Sequence, residues 1–313
     1  MIAALEAPGV MLAPDALIAL RRVALRSRAA PVLAALPGGF ATRRKGHGQE
    51  VADVRCYVVG DDIRHLDRGT TARTGTLHVR QFQEERDRVA LLIADFRAPM
   101  LWGVTRAFRS VVAAEALCLL GWRVVEDGGR VGLLALTSAG PVAVAPRGRT
   151  RGMLDVIGGL VRAHAAALDA VARGASQGGD AGDQAGALVP LDAALAPVER
   201  CAPAGAELLL ASGFDGCGEG LADRLSALAR RRVPRLILIG DADAARLPRG
   251  RYPVRLPDGR RLRVALDGAP GRQPVSPDSV VIAGRPALTL DAGASVDELA
   301  RRLAGAFPQD RTP

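Results

Sequence analysis

Three carboxylates stand where side chains could do chemistry. Asp61 and Asp62 close a Gly60-Asp61-Asp62 triplet, and Asp95 ends an unbroken apolar run from Val89 to Ala94. Acids of this kind serve as general acid and base or as oxygen ligands to a divalent ion, which would make Asp61, Asp62 and Asp95 the centre of a metal-dependent phosphoesterase. Their neighbours favour a plainer role. Arg55, Arg64 and Arg73 are interleaved with Asp61, Asp62 and Asp67 and can neutralise them without a metal. After Asp95, Arg97 and Pro99 occupy positions at which a hard cation would want hydroxyl oxygens. No Gly-x-Ser-x-Gly, P-loop, Gly-x-Gly-x-x-Gly or His-Glu-x-x-His pattern occurs. The expectation is therefore a protein without catalytic residues and without a cofactor. Cys56, Cys118, Cys201 and Cys217 have no C-x-x-C spacing and read as thiols in a reducing compartment. His47, His65, His78 and His164 are too scattered for a zinc cluster and read as structural.

Composition bounds the class. The chain of 313 residues is 49% hydrophobic but only 3% aromatic, so its core must be Leu, Val and Ala. Net charge is +9, carried almost wholly by arginine, with Lys45 the single lysine. A nucleic-acid partner held by Arg43, Arg44 and Lys45 is the alternative this charge raises. It is not favoured, because the arginines are dispersed and no aromatic stacking set accompanies them. No signal peptide or membrane span is read, and the expected location is the cytoplasm.

The elements that must position these residues follow from periodicity. Residues 15–29 form a basic amphipathic helix, with Leu17, Leu20 and Ala24 in one stripe. The Gly-rich basic stretch 37–49 is a loop, and both it and the helix could touch an anionic surface. Residues 89–95, 131–136, 207–212 and 235–241 are buried strands, separated by helices over 104–126, 151–173, 190–201 and around Leu221, Leu225 and Leu228. Pro141 to Ala145 returns as a hairpin partner of 131–136. The alternation predicts an α/β fold, a mostly parallel sheet with helices on both faces. Three parts are expected: an N-terminal extension over 1–86, a core over 87–245 with a flexible loop at 174–186, and a C-terminal hairpin and helix over 246–313. That last helix opens on a Ser295-Val296-Asp297-Glu298 capping box and should bury Val296, Leu299, Leu303 and Phe307.

One resemblance rests on specific residues. Gly60-Asp61-Asp62-Ile63-Arg64, Leu66-Asp67, Ala72-Arg73-Thr74 and Glu84-Glu85, ahead of the strand ending at Asp95, resemble the bacterial family catalogued as domain of unknown function fifty-eight. Its pattern runs Y-x-x-G-D-D-x-R-x-I-D-W-x-x-x-A-R-T. Tyr57 fills the tyrosine position, whereas Arg68 replaces the usual tryptophan. The resemblance is dense over about residues 46–100. It implies a von Willebrand factor A-like, Rossmann-like core and no established enzymatic activity. It further implies partnership with a MoxR-type AAA+ ATPase and its protein client in assembly or chaperone-like work. Tyr57, Gly60, Asp61, Asp62, Arg64, Asp67 and Arg73 form its motif cluster, with the acids and arginines expected in one hydrogen-bonded network at the junction with the core. Von Willebrand A domains commonly bind a divalent ion through D-x-S-x-S after the first strand, with a distant Thr and an Asp after a later strand. Asp95 matches the first position, Arg97 and Pro99 replace both serines, Gly213 stands where the later Asp is expected, and Thr150 is an unaligned candidate for the Thr. The implied adhesion-type metal site is degenerate, with Arg97 either paired to Asp95 or presented, together with Asp95, to a partner's carboxylate.

Overall fold

The computed structural model describes residues 8–27, 51–59, 61–82, 88–176, 189–242, 250–255, 261–266 and 279–306. Contacts divide the chain into a core unit, 1–35 with 88–313, and a second unit, 36–87.

In chain order the core contributes α1 (Pro14–Ser27). The second unit then contributes β1 (Val51–Cys56), α2 (Arg68–Thr74) and β2 (His78–Phe82). The chain returns to the core with β3 (Val89–Asp95), α3 (Arg109–Glu126), β4 (Arg130–Thr137), β5 (Gly140–Gly148) and α4 (Arg149–Ser176). After these come α5 (Leu191–Ala194), α6 (Val198–Cys201), β6 (Glu207–Ser212), α7 (Leu221–Ala229) and β7 (Val233–Gly240). The last elements are β8 (Gly250–Arg255), β9 (Arg261–Leu266), β10 (Ser279–Ile282), β11 (Arg285–Asp291) and α8 (Val296–Ala306).

The main sheet has seven strands in the order β10-β11-β7-β6-β3-β4-β5. Its five inner strands run parallel, and the edge strands β5 and β10 are antiparallel to their neighbours. The fold is thus the expected α/β arrangement. All seven residues of β3 are buried because it is hydrogen-bonded on both sides and covered on both faces. Val89, Leu91 and Ile93 pack into a cluster with Leu191, Leu195 and Val198 of the α5–α6 segment and with Leu221, Leu225 and Leu228 of α7. On the opposite face Leu92 meets α3 so closely that a Cβ on Gly121 would fall 3.0 Å from its methyl and 2.9 Å from the Met153 sulfur. Gly121 is what lets α3 lie against both β3 and α4. Helices lie between β3, β4, β6 and β7 in the chain, whereas among the described residues none lies between β7 and β11.

Several expectations change here. Helix α1 belongs to the core, not to an N-terminal extension: Leu17, Leu20 and Ala24 are buried, the Trp122 indole N–H donates to the Leu17 carbonyl at 3.2 Å, and Arg21 meets Glu126 at 2.7 Å. The core does not end at residue 245 either. Strand β11 pairs in parallel with β7 and covers an edge that would otherwise expose its backbone groups, β10 pairs with β11, and α8 buries Leu299 and Leu303. Helix α3 begins at Arg109, after a 3-10 turn at Ala98–Met100 and a loop. The expected helix over 190–201 is two short ones, with Pro197 between them. The expected β8–β9 hairpin forms, as a separate two-stranded sheet. Helix α4 runs to Ser176, into the stretch expected to be a loop. The rest of that stretch, the basic residues Arg43, Arg44 and Lys45, and Phe307 lie outside the described residues.

Candidate functional site

Strand order reverses between β3 and β6: β4 and β5 follow β3 to one side, whereas β6 and β7 extend to the other. In open α/β sheets the crevice beyond the carboxyl ends of such a strand pair is the usual ligand position. Asp95 ends β3 and Ser212 ends β6, so both face that crevice.

A guanidinium fills it. Arg97 is 1% exposed and forks onto Asp95, Nε to Oδ1 at 2.9 Å and Nη2 to Oδ2 at 2.8 Å. Its remaining donors go to backbone carbonyls: Nη1 to Val189 at 2.8 Å and Gly216 at 3.3 Å, and Nη2 to Asp215 at 3.0 Å. A guanidinium has five N–H donors, and here each has an acceptor. Asp95, also 1% exposed, accepts in addition the Arg97 backbone N–H at 3.1 Å and the Ser212 hydroxyl at 2.6 Å. The Ser212 oxygen in turn accepts the Phe214 N–H at 2.9 Å, holding the turn in which Phe214 takes a φ of 54°.

Beside it lies a second arginine that sequence reasoning missed. Arg109, the first residue of α3, donates through Nε to the Ile239 carbonyl at 2.8 Å and through Nη1 to Pro99 O at 3.2 Å and Asp215 Oδ2 at 2.8 Å. Its guanidinium lies 5.4 Å from the Trp102 ring centroid. Gly213 makes room for it, since a Cβ there would sit 1.8 Å from Arg109 Nη2. The position at which a later carboxylate was sought is therefore occupied by cationic nitrogen. The only advance signal was a charged residue opening a helix whose next turn is apolar but for Ser110.

This donor set does not fit a divalent cation. Hard ions need several oxygen ligands, whereas both Asp95 oxygens are committed to hydrogen bonds from Arg97 and Ser212, and a second guanidinium, that of Arg109, holds the Asp215 carboxylate. Among the described residues no group of three His, Cys, Asp or Glu side chains could hold a metal. Thr150 lies at the start of α4 with no role at the crevice that the structure shows. The expectation that Asp95 and Arg97 face a partner needs correcting: both are sealed, and neither has a free donor or lone-pair direction to offer. Trp102 and Asp215 are the side chains joined to this network that do reach solvent, at 39% and 45% exposure.

The motif residues of the second unit form separate pairs and not one network. Arg55 forks onto Asp61 at 2.6 and 2.7 Å, and the Val58 N–H adds 2.9 Å. The Arg55 hydrogen bonds, then that of Val58, hold the Asp61 carboxyl below the ordinary carboxylate range. Asp62 caps the short 3-10 turn at Ile63–His65 and binds Arg64 within its own turn, and Arg64 is the first cause of its depressed pKa. Asp67 caps α2 through the Thr70 N–H at 2.7 Å and takes Arg80 at 2.8 Å from the neighbouring strand. The Thr70 N–H, then Arg80, lower its carboxyl to about 2. Arg55 and Arg80 supplant Arg73 because β1 and β2 pair directly and carry them to the acids. Among the described residues Arg73 has no carboxylate partner, Tyr57 contributes a backbone N–H to Leu77 O at 2.8 Å, and Gly60 lies outside the described residues. Asp61 and Asp62 belong to the unit 36–87 and Asp95 to the core.

One nucleophile–base distance occurs in the core: Ser110 Oγ lies 2.8 Å from His164 Nε2. Both are buried, Phe96 lies edge-on 5.0 Å from the imidazole, and burial lowers the His164 pKa to about 4. The pair reads as a satisfied core contact.

No solved structure matches this chain. Curated relatives include uncharacterized proteins of Mycobacterium bovis and Mycobacterium tuberculosis, each 31% identical over 102 residues, which is 33% of this chain and 32% of the relative. The chain thus matches about a third of the length of these relatives. The family model described as "Protein of unknown function DUF58" matches residues 53–259, more than half of the chain, from the Asp–Arg pairs of the second unit through the arginine-filled crevice, and this chain belongs to that family.

Proposed function

We propose that the protein is a non-enzymatic adaptor. Its core is a von Willebrand A-like sheet with a degenerate metal site, and it works in the cytoplasm with a MoxR-type AAA+ ATPase on a protein client. The observation that carries this reading is the buried Arg97–Asp95 pair, which puts a fixed cation where a metal-dependent domain of this architecture would hold an exchangeable one. The strand order, with a single antiparallel strand beside β4 and the reversal between β3 and β6, supports the A-like assignment. Trp102, backed by Arg109, and Asp215 are the groups through which this edge meets a partner, because aromatic and arginine anchors dominate interface energetics. No helix among the described residues is long and apolar enough to cross a membrane.

The test is sedimentation of the purified chain with the MoxR-type ATPase of the same genome, without nucleotide, with and without EDTA. The expected result is a complex that EDTA leaves intact and that Trp102→Ala weakens about tenfold, as for a hot-spot residue. No complex would remove the ATPase partner from the reading. A complex dissolved by EDTA would remove the metal-free site.

A further inference from the structure

Cys56 is the one exposed cysteine of the four. It does not stand alone. It ends β1 directly opposite His78, the first residue of β2, and its Sγ lies 3.7 Å from His78 Nε2, within hydrogen-bonding reach for sulfur. The other imidazole nitrogen fixes the tautomer. Nδ1 lies 2.8 Å from the Thr76 carbonyl, an acceptor only, so Nδ1 carries the hydrogen, and the Thr74 hydroxyl adds a contact at 3.2 Å. In the neutral ring Nε2 is then a bare lone pair aimed at the thiol. The histidine backbone is pinned as well: its N–H donates to Thr71 Oγ1 at 3.0 Å, and its carbonyl accepts the Asp67 N–H at 2.8 Å. A nucleophile, a base within reach and a third group orienting the base is the arrangement that activates thiols.

We propose that Cys56 is a thiol-modification site, with His78 as its proton relay, and that its co-substrate is the disulfide of a small aliphatic thiol. In the step, His78 Nε2 takes the Cys56 proton and Sγ attacks one sulfur of the disulfide. The new S–S bond forms as the old one breaks. The departing thiolate leaves with the electron pair and receives the proton from Nε2. The products are one protein mixed disulfide and one free small thiol, with no other oxidant needed. The remaining thiols serve as internal controls, since burial disfavours ionisation at Cys118, Cys201 and Cys217.

The experiment exposes the full chain to oxidised glutathione and, separately, to an aromatic nitrobenzoate disulfide, whose leaving thiolate needs no proton. Intact and peptide mass spectrometry follow the adducts. Cys56→Ser should abolish the first glutathione adduct. His78→Gln, which retains a polar side chain but relays no proton, should slow the glutathione reaction on the order of tenfold and the aromatic one much less. Equal slowing of both would show that His78 hands no proton to the departing thiolate and overturn the relay. So would no slowing, or a first adduct at Cys201 or Cys217. If His78→Gln disturbs the strand pair by circular dichroism, the wild-type ratio of aliphatic to aromatic rates decides instead. It should exceed that of N-acetylcysteine, and equality would overturn the relay.

Discussion

Replacing Arg97 by Met removes the cation from the switch-point crevice and leaves Asp95, 1% exposed, with only the Ser212 hydroxyl and one backbone N–H. Breaking a buried ion pair from one side costs about 3–5 kcal/mol, because an uncompensated charge remains. The carbonyls of Val189, Asp215 and Gly216 also lose their donor. They lie on part-buried loops, so each adds at most about 1 kcal/mol where water cannot replace it. Against a total stability of roughly 5–15 kcal/mol, Arg97→Met should bring the fold close to its threshold. Asp95→Asn in the Arg97→Met background removes the stranded charge, and neutral replacements of buried pairs are often tolerated. The double variant should therefore recover at least about 2 kcal/mol of the loss, a coupling typical of directly paired residues. Urea unfolding followed by Trp102 and Trp122 fluorescence measures all four corners of the cycle. An Arg97→Met effect under about 0.5 kcal/mol, or additive single effects, would refute the pair as the crevice's structural centre.

The remaining predictions concern other parts of the core and the second unit. Calorimetric titration with Mg²⁺, Mn²⁺ or Ca²⁺ should give no saturable heat, beside an Arg97→Ser/Pro99→Ser control; micromolar binding that Asp95→Ala abolishes would contradict the guanidinium-filled site. Gly213→Ala pushes a methyl into the Arg109 guanidinium and should destabilise by about 1–3 kcal/mol, read by the same urea midpoint. His164 is depressed from 6.5 to about 4 by burial, so it is neutral when folded while the unfolded chain still binds a proton. Stability is then fully present above pH 6.5 and falls by about 3 kcal/mol as pH drops through 4, a fall that His164→Gln should flatten in a pH series of unfolding curves. Arg73→Ala should leave the melting temperature within about 1 °C, since no carboxylate depends on it among the described residues.

What could be read in the sequence was whatever is settled locally. The apolar run before Asp95 announced a central parallel strand, the short apolar stretch from Pro141 to Ala145 just after 131–136 announced the β4–β5 hairpin, and the two-residue step from Asp95 to Arg97 was short enough to suggest their pairing. Strand β11 escaped notice because its place depends on β7, some fifty residues earlier, and because Pro286 weakens the strand pattern. Arg109 escaped for the same reason: its partners at Asp215 and Ile239 are 106 and 130 residues away. The expected Asp–Arg network failed in detail because pairing of β1 with β2 decided which arginines face which acids, and charge order along the chain does not reveal that register.

Helix α1 packs on α3, with contacts from Leu17 to Trp122 and from Arg21 to Glu126 that span 105 residues. Helix α1 is thus held by partners about a hundred residues later in the chain. At about 5–20 residues per second, its apolar stripe waits roughly 5–20 s for α3 to emerge. Fourteen residues make a marginal helix alone. Even once α3 is available, docking must close the intervening chain, at an entropic cost that grows only as the logarithm of its length. The second unit, 36–87, is strung between these halves of the core and can fold during that interval. Nascent chains arrested before residue 126 should therefore display a protease-sensitive α1, and chains arrested well beyond it a protected one.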